Sequence, residues 1–341
     1  MSMIHLAGQY FLNHRLEPDE LRRQVRELIA AGYQSIYGHA RQGLLTPYFS
    51  DAWWDAIRVI VEECQKGGVT FSIWDEDYYP SPLAGGRLVW DNPEYSAQQL
   101  DFQLFETVSH GELISCDLKS ESLLRCFAIP KLPGHGFGAP LDVTFHCGTV
   151  SSGWASRHVC HSGYSPYNKI AVPHWRTSCG PKHFALQWQP VTPGEYLILA
   201  VHIARPGGRH NSDILNVAAM KRFVELTHDE YVRRLGPEMF DGLVDASFMD
   251  EPAPSGIFPW TGNFAAEFTT MHGYDLLPWL AHLAVDIDDR SPLVRHHYRM
   301  TQMQLQCRSF LDVVGNWCHE HGIKNVGHLT RTEFLTHVAH A

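Results

Sequence analysis

The chain has 341 residues, 44% of them hydrophobic and 19% charged, so it can bury a sizeable core and is not a disordered polypeptide. That length exceeds a usual single-core domain and predicts either two domains or one large domain carrying an insertion. A net charge of −10 with no Lys/Arg cluster argues against a nucleic-acid surface, and no run of about 18 apolar residues could cross a membrane. The opening MSMIHLAGQYFLNHR lacks the basic flank and apolar stretch of a secretory signal, so a soluble, cytoplasmic protein is expected.

Residues 6 to 12 are an apolar strand. LEPDELRRQVRELIAAG follows as a helix, with Pro18 suited to its first turn, Leu21, Val25, Leu28 and Ile29 on one face, and Gly32 as its stop. SIYGHAR is a second strand. SDAWWDAIRVIVEECQKGG is a second helix, capped by Ser50 and buried through Ile57, Ile60, Val61 and Cys64. VTFSIWDED is a third strand with its charges at the carboxyl end. This alternation over residues 1–100 predicts parallel pairing through right-handed crossovers.

From 101 to 210 the texture changes to RCFAIP, LDVTFHCGTV, KHFALQWQPV and GEYLILAVHIA. These are short strand-like runs split by Gly, Pro and Ser, which predict an all-β insertion. Alternation resumes over 211–341. SDILNVAAMKRFVELTHDEYVRRL is expected as one helix, LVDASFMDEP as a fourth strand, FAAEFTTMHG as a short helix, 291–321 as a long helix and NVGHLT as a fifth strand. The fold class is therefore α/β of the (β/α)8 TIM-barrel type, with about five units and an all-β interruption. The fifth strand lies close to the end of the sequence. This predicts an amino-terminal portion of a longer protein, or an open half-barrel that needs further barrel units or a second chain.

In such a barrel the strand ends converge on one face. They would bring together His39 and Arg41 from GHAR; Asp75, Glu76 and Asp77 from WDED; Asp250 and Glu251 from FMDEP; and His328 with Glu333 from GHLTRTE. Three adjacent carboxylates repel one another unless a counter-charge or a hydrogen-bonding partner shares the site. If the strand continues, Asp75 and Asp77 share one side and Glu76 takes the other, with Arg41 as the nearest cation. That Arg41 either pairs with the aspartates to hold the loop or meets a ligand. Tyr78 and Tyr79 either stack on sugar rings or pack the loop. Pro252 is expected to hold Glu251 extended and aimed outward.

Other features point away from alternative chemistries. His319 and His321 of CHEHG are two apart near a helix end and lack a third ligand at suitable spacing, which speaks against zinc. The eight cysteines include no CxxC pair and read as buried free thiols. Neither a P-loop, nor GxGxxG after a strand, nor GxSxG is present.

In combination, the GHAR segment, WDED with the following AGG, FMDEP, PWTGNFAAEFTTMHGYDLLPWL and WCHEHGIKNVGHLTRTE resemble the α-L-rhamnosidase-like glycoside hydrolases related to family 106. The likeness covers residues 10–90 and 215–335. In that family a barrel with inserted and appended β domains hydrolyses O-glycosidic bonds with a carboxylate pair, by inversion, and calcium helps to hold the sugar. The resemblance implies Glu251 as general acid and Glu333 as partner base or nucleophile. His39, Arg41, Asp75, Glu76, Asp77, Tyr79, Asp250, Trp260 and His328 would line a carbohydrate pocket, with calcium as a family-implied ion. Two departures are evident: the later barrel units are missing, and Ser81-Pro82 stands where relatives often have Ser-Gly. A catalytically incomplete carbohydrate-binding fragment is the alternative, and a metal-dependent hydrolase using the acidic strand ends is a weaker one.

Overall fold

In the computed structural model, which describes residues 6–119, 122–134, 136–151, 159–160, 174–175, 182–207 and 211–329, five parallel strands are hydrogen-bonded in the order in which the chain makes them. They are β1 (Ala7–His14), β2 (Ser35–Leu44), β3 (Thr70–Trp74), β4 (Val244–Asp250) and β5 (Lys324–His328). Each pairs in parallel with the next. A parallel sheet in chain order forms the wall of a half-barrel and places all five carboxyl ends on one rim.

Two helices make the first crossovers, α1 (Pro18–Ala30) and α2 (Asp51–Gly67). Pro18 opens α1, where its missing N–H costs nothing, and Leu21 and Val25 are buried. In α2 the Ser50 hydroxyl accepts from the Trp53 N–H at 3.3 Å, and Gly68 closes the helix at φ +69°. Glu63 is buried on α2 and accepts from Arg26 of α1 at 2.7 Å and from Lys66 at 2.8 Å, which ties the two helices together. Behind β2, Gly38 leaves room for Phe71 of β3 and Ile57 of α2. The helices thus cover one face of the sheet.

The segment expected as one helix after residue 213 is two, Val217–Leu226 and His228–Leu235. The break falls at Thr227, whose hydroxyl donates to the Phe223 carbonyl at 2.8 Å and is bonded to His228 Nδ1 at 2.8 Å. His228 Nε2 in turn bonds the Ser247 hydroxyl of β4 at 3.0 Å, so a contact with the sheet decides where the helix divides. Likewise the run expected over 291–321 is Ser291–Gln306 and Asp312–Glu320, joined by a π-helical turn at Cys307–Leu311. There Ser309 Oγ reaches both its own Leu305 carbonyl at 2.7 Å and the Ile214 carbonyl.

By contacts the chain divides into two compact units, one of 1–99, 205–267 and 298–341 and the other of 100–204 and 268–297. The five-stranded sheet belongs to the first. In the second, Ile114–Leu118, Lys182–Trp188 and Cys147–Ser151 form an antiparallel three-stranded sheet in that spatial order. Gln98–Ser109, Gly194–Ala204 and Leu123–Leu132 are neighbouring strands, in that order, of a second sheet, which has six strands. Ile114, Leu118, Leu186 and Trp188 of the former meet Cys126, Ala128, Ile198 and Ala200 of the latter in a shared core. Cys64, Cys116, Cys126, Cys307 and Cys318 are buried free thiols and Cys147 is a half-buried one, whereas Cys160 and Cys179 lie outside the described side chains. Among the described residues no helix is long and apolar enough to cross a membrane.

Candidate active site

The strand β3 ends at Trp74, and Asp75, Glu76 and Asp77 lie in the loop beyond it and do not alternate along an extension of the strand. Asp75 and Glu76 are fully buried. Ser81 explains the first of them. Its hydroxyl donates to Asp75 Oδ1 at 2.6 Å and accepts from the Asp250 N–H at 2.9 Å, while its own N–H donates to the Asp250 carbonyl at 2.8 Å. One serine thereby fastens the ends of β3 and β4.

The AGG element explains the second. Ala84, Gly85 and Gly86 all have positive φ, at +53°, +65° and +85°. Successive backbone N–H groups in such conformations turn inward as an anion-binding nest. Here the occupant is the chain's own Glu76, whose carboxylate accepts from the Leu83 N–H, the Ala84 N–H at 2.9 Å and the Gly85 N–H at 3.4 Å. Asp75 and Glu76 therefore brace the loop from fully buried positions, where they were expected to line the pocket. Burial, with the charge of Asp250 adding to it, pushes the Asp75 carboxyl up to about 8. Burial and the neighbouring Asp75 likewise push Glu76 well above the carboxylate range.

Across the strand ends runs a row of rings, one from each strand. Phe11 of β1 meets His39 of β2 edge-on at 5.4 Å, and His39 stacks on Trp74 of β3 at 3.7 Å. Trp74 stacks on Phe248 of β4 at 4.1 Å, and Phe248 meets His328 of β5 at 5.0 Å. His39 is buried within this row, its Nε2 3.3 Å from the Tyr78 carbonyl. Burial lowers its pKa to about 3, so it is a neutral ring that supports Trp74. Arg41, expected either to pair with the aspartates or to meet a ligand, forms no ion pair with the triplet among the described residues. Its guanidinium lies over the rings of Phe11, Tyr78 and Tyr79 at 5.3, 5.5 and 5.4 Å, half-buried beside a cavity of about 420 Å3 that Asp77, Tyr48 and Tyr78 also line.

The end of β4 carries the exposed acid. Asp250 is buried and its Oδ1 lies 3.2 Å from His328 Nδ1, which fixes the imidazole and leaves its other nitrogen outward on a side chain 57% exposed. Glu251 is exposed and its N–H donates to the His328 carbonyl at 3.0 Å. It is not extended, as Pro252 predicted, but has φ +48°. The hydrogen bond to β5 turns the chain off the sheet in a conformation that non-glycine residues rarely adopt and that a following proline disfavours further.

Of the remaining expected residues, Tyr79 is exposed over Arg41. Trp260 is buried against Phe264 at 5.0 Å, where packing holds its ring away from solvent and from any sugar. Glu333 lies outside the described residues. The sequence reading missed Ser81, whose only signal was its place between two prolines after the acidic triplet, and Asp213. The latter accepts from Thr261 at 2.7 Å, and burial pushes its carboxyl up to about 6. His321 bonds the Trp317 carbonyl at 2.8 Å and stacks on the Trp317 ring. Among the described residues no cluster of three or more His, Cys, Asp or Glu side chains is arranged to hold a metal ion. The calcium implied by resemblance therefore finds no such cluster there, and Asp75 and Glu76 are committed to Ser81 and the nest.

On the carboxyl rim of the half-barrel sheet the exposed Glu251 thus stands beside a carboxylate-fixed imidazole, that of His328. Comparison with known proteins finds two likenesses. Residues 203–335, which contain β4, Glu251, β5 and His328, match glycoside hydrolase family 106, alpha-L-rhamnosidase. The chain is also similar in fold to the structure of a rhamnosidase from Novosphingobium sp. PP1Y, with a TM-score of 0.58 and 14% identity. That similarity covers 95% of this chain and 46% of the rhamnosidase, so this chain spans about half its length. No curated protein sequence matches. The resemblance to the rhamnosidases drawn from the sequence motifs thus holds in the matched stretch and in the fold.

Proposed function

We propose that this chain carries the catalytic rim of a glycoside hydrolase that cleaves O-glycosidic bonds of an oligo- or polysaccharide, with α-L-rhamnosides as the first substrates to try. The observation that carries the reading is Glu251: an exposed carboxyl at the end of β4, inside the matched family stretch, fixed through its own N–H to β5. In this role Glu251 protonates the leaving oxygen as the glycosidic bond breaks. A second carboxylate, for which Glu333 remains the proposal, acts on the opposite side of the sugar. The Asp250–His328 pair would hold the rim on which the acid stands. The sheet is proposed to close into a full barrel through further βα units, in the same chain or a second one. Its support is the chain-order pairing of five parallel strands.

The test uses two α-L-rhamnosides, one with an activated aryl leaving group and one with a poor alkyl leaving group. Glu251→Gln should lower kcat on the poor leaving group by about 10²–10⁴-fold and on the activated one by much less, since the latter needs little proton donation. Equal rates for variant and parent on both substrates would remove Glu251 from the mechanism. A chain that binds rhamnosides but turns over neither would favour the binding-fragment alternative.

A further inference from the structure

Three cysteines of the second unit meet in one core. In its three-stranded sheet, Leu186 of Lys182–Trp188 stands opposite Cys116 on one side and Cys147 on the other, so the three side chains share one face. Cys126 comes from Leu123–Leu132 of the facing sheet, where it stands opposite Ala200. Cys116, Cys126 and Leu186 are buried together, and Cys147 packs against them half-buried.

Stacked sheets ordinarily lie about 10 Å apart, beyond the reach of a disulfide, whose Cα atoms sit about 4.4–6.8 Å apart. Here the chain narrows that gap by changing sheets just before Cys147. Leu141–Asp142 pairs with Ala128 and Phe127, on the strand that carries Cys126, whereas Cys147–Ser151 already belongs to the facing sheet. At the corner between them the Val143 N–H donates to the Cys126 carbonyl at 2.8 Å, and the Cys126 N–H donates to the Thr144 hydroxyl at 2.9 Å. Cys147 Sγ lies 3.8 Å from the Val143 carbonyl oxygen, and the Cys126 thiol donates to the Cys147 sulfur. Cys116 is two strand spacings from Cys147, about 9.5 Å, which is too far to pair with it.

The hydrogen bond between the two sulfurs divides their roles. It holds the Cys147 thiol below its ordinary pKa, against burial and the charge of Asp142, and together with burial it raises that of Cys126. The more accessible sulfur is therefore the one that ionises first. We propose that Cys126 and Cys147 are a redox modification site, oxidised by a small-molecule disulfide to a bond that staples the two sheets sharing this core. In the first step the Cys147 thiolate attacks one sulfur of the small disulfide, breaking its S–S bond and releasing one small thiol. The Cys126 sulfur then gives up its proton and displaces the second small thiol from Cys147. Two protein thiols are oxidised, one disulfide is reduced to two thiols, and the two protons pass to the released thiols. The inference goes beyond the hydrolase reading and does not depend on it.

The test adds glutathione disulfide to the native 341-residue chain, alkylates the remaining thiols and maps the peptides by mass spectrometry without reductant. The expected product carries a link between Cys126 and Cys147, has two thiols fewer per chain, and recovers both with dithiothreitol. Cys126→Ala should stop at the mixed disulfide of Cys147 with glutathione. Cys147→Ala should leave Cys126 unmodified, since that side chain is fully buried. The linked chain should also melt about 5 °C above the reduced one, because the bond closes a loop in the unfolded state. Retention of both thiols in the native chain, a link from either cysteine to Cys116, Cys160 or Cys179, or a melting temperature that does not rise overturns the proposal. If a variant fails to fold, the parent chain decides through its mapped link and its melting temperature. No readout uses glycosidase activity, so failure of the hydrolase reading and failure of this one are told apart.

Discussion

Asp75 shows why the charges in WDED are compatible with one another. Its folded-state pKa of about 8 lies above the ordinary 3.8, so at neutral pH the folded protein keeps a proton there that the unfolded chain gives up. The associated stability is complete below about pH 4 and falls as pH rises toward 8. Asp75→Asn keeps the shape and an oxygen for the Ser81 hydroxyl while removing the titration. Melting temperatures measured from pH 5 to 9 should therefore fall with pH in the parent and run flatter in the variant; parallel curves would mean that Asp75 is ionised in the folded state. The sequence disclosed that these carboxylates needed a partner. It did not disclose that the partners are a serine six residues on and the backbone of a left-handed turn, because N–H groups leave no trace in residue type. The contact of Arg41 with the rings of Phe11, Tyr78 and Tyr79 was likewise not legible, because nearness of strand ends named it only as the nearest cation, with a role toward the aspartates or a ligand left open.

At the level of elements, α1 and α2 were legible to within a residue or two, since caps, glycine stops and apolar spacing are all local signals. The division at Thr227 and the π turn at Cys307–Leu311 were not, since each follows from a hydrogen bond to a distant segment. Gln98–Ser109 escaped notice as a strand because its polar residues interrupt the apolar runs that marked its neighbours. The β4–β5 pairing makes a prediction of its own. A methyl group added at Gly327 would overlap the Met249 carbonyl oxygen and Cγ across the strand pair. Gly327→Ala should cost about 1–3 kcal/mol, seen as a lower denaturant midpoint, and should loosen the Glu251 N–H bond to the His328 carbonyl. A midpoint within error of the parent would show that the two strands separate without penalty.

For the molecule as a whole, the five-strand order and the shared rim followed from alternation alone, whereas the ring row depends on a register no single strand reveals. Parallel sheets are ordinarily covered on both faces. The face bearing the row includes Phe11 at 46% exposure, a half-buried Phe248 and an exposed His328. An environment-sensitive apolar dye should bind there, and Phe11→Ser should weaken its binding; an unchanged signal would place the accessible apolar surface elsewhere. The nest that closes on Glu76 has a broader consequence. The most recognisable motif in the chain is a brace between two backbone segments, spent entirely on holding its own loop. A search keyed to that motif would retrieve proteins that share this corner of the half-barrel sheet, whatever the residues on their rim do.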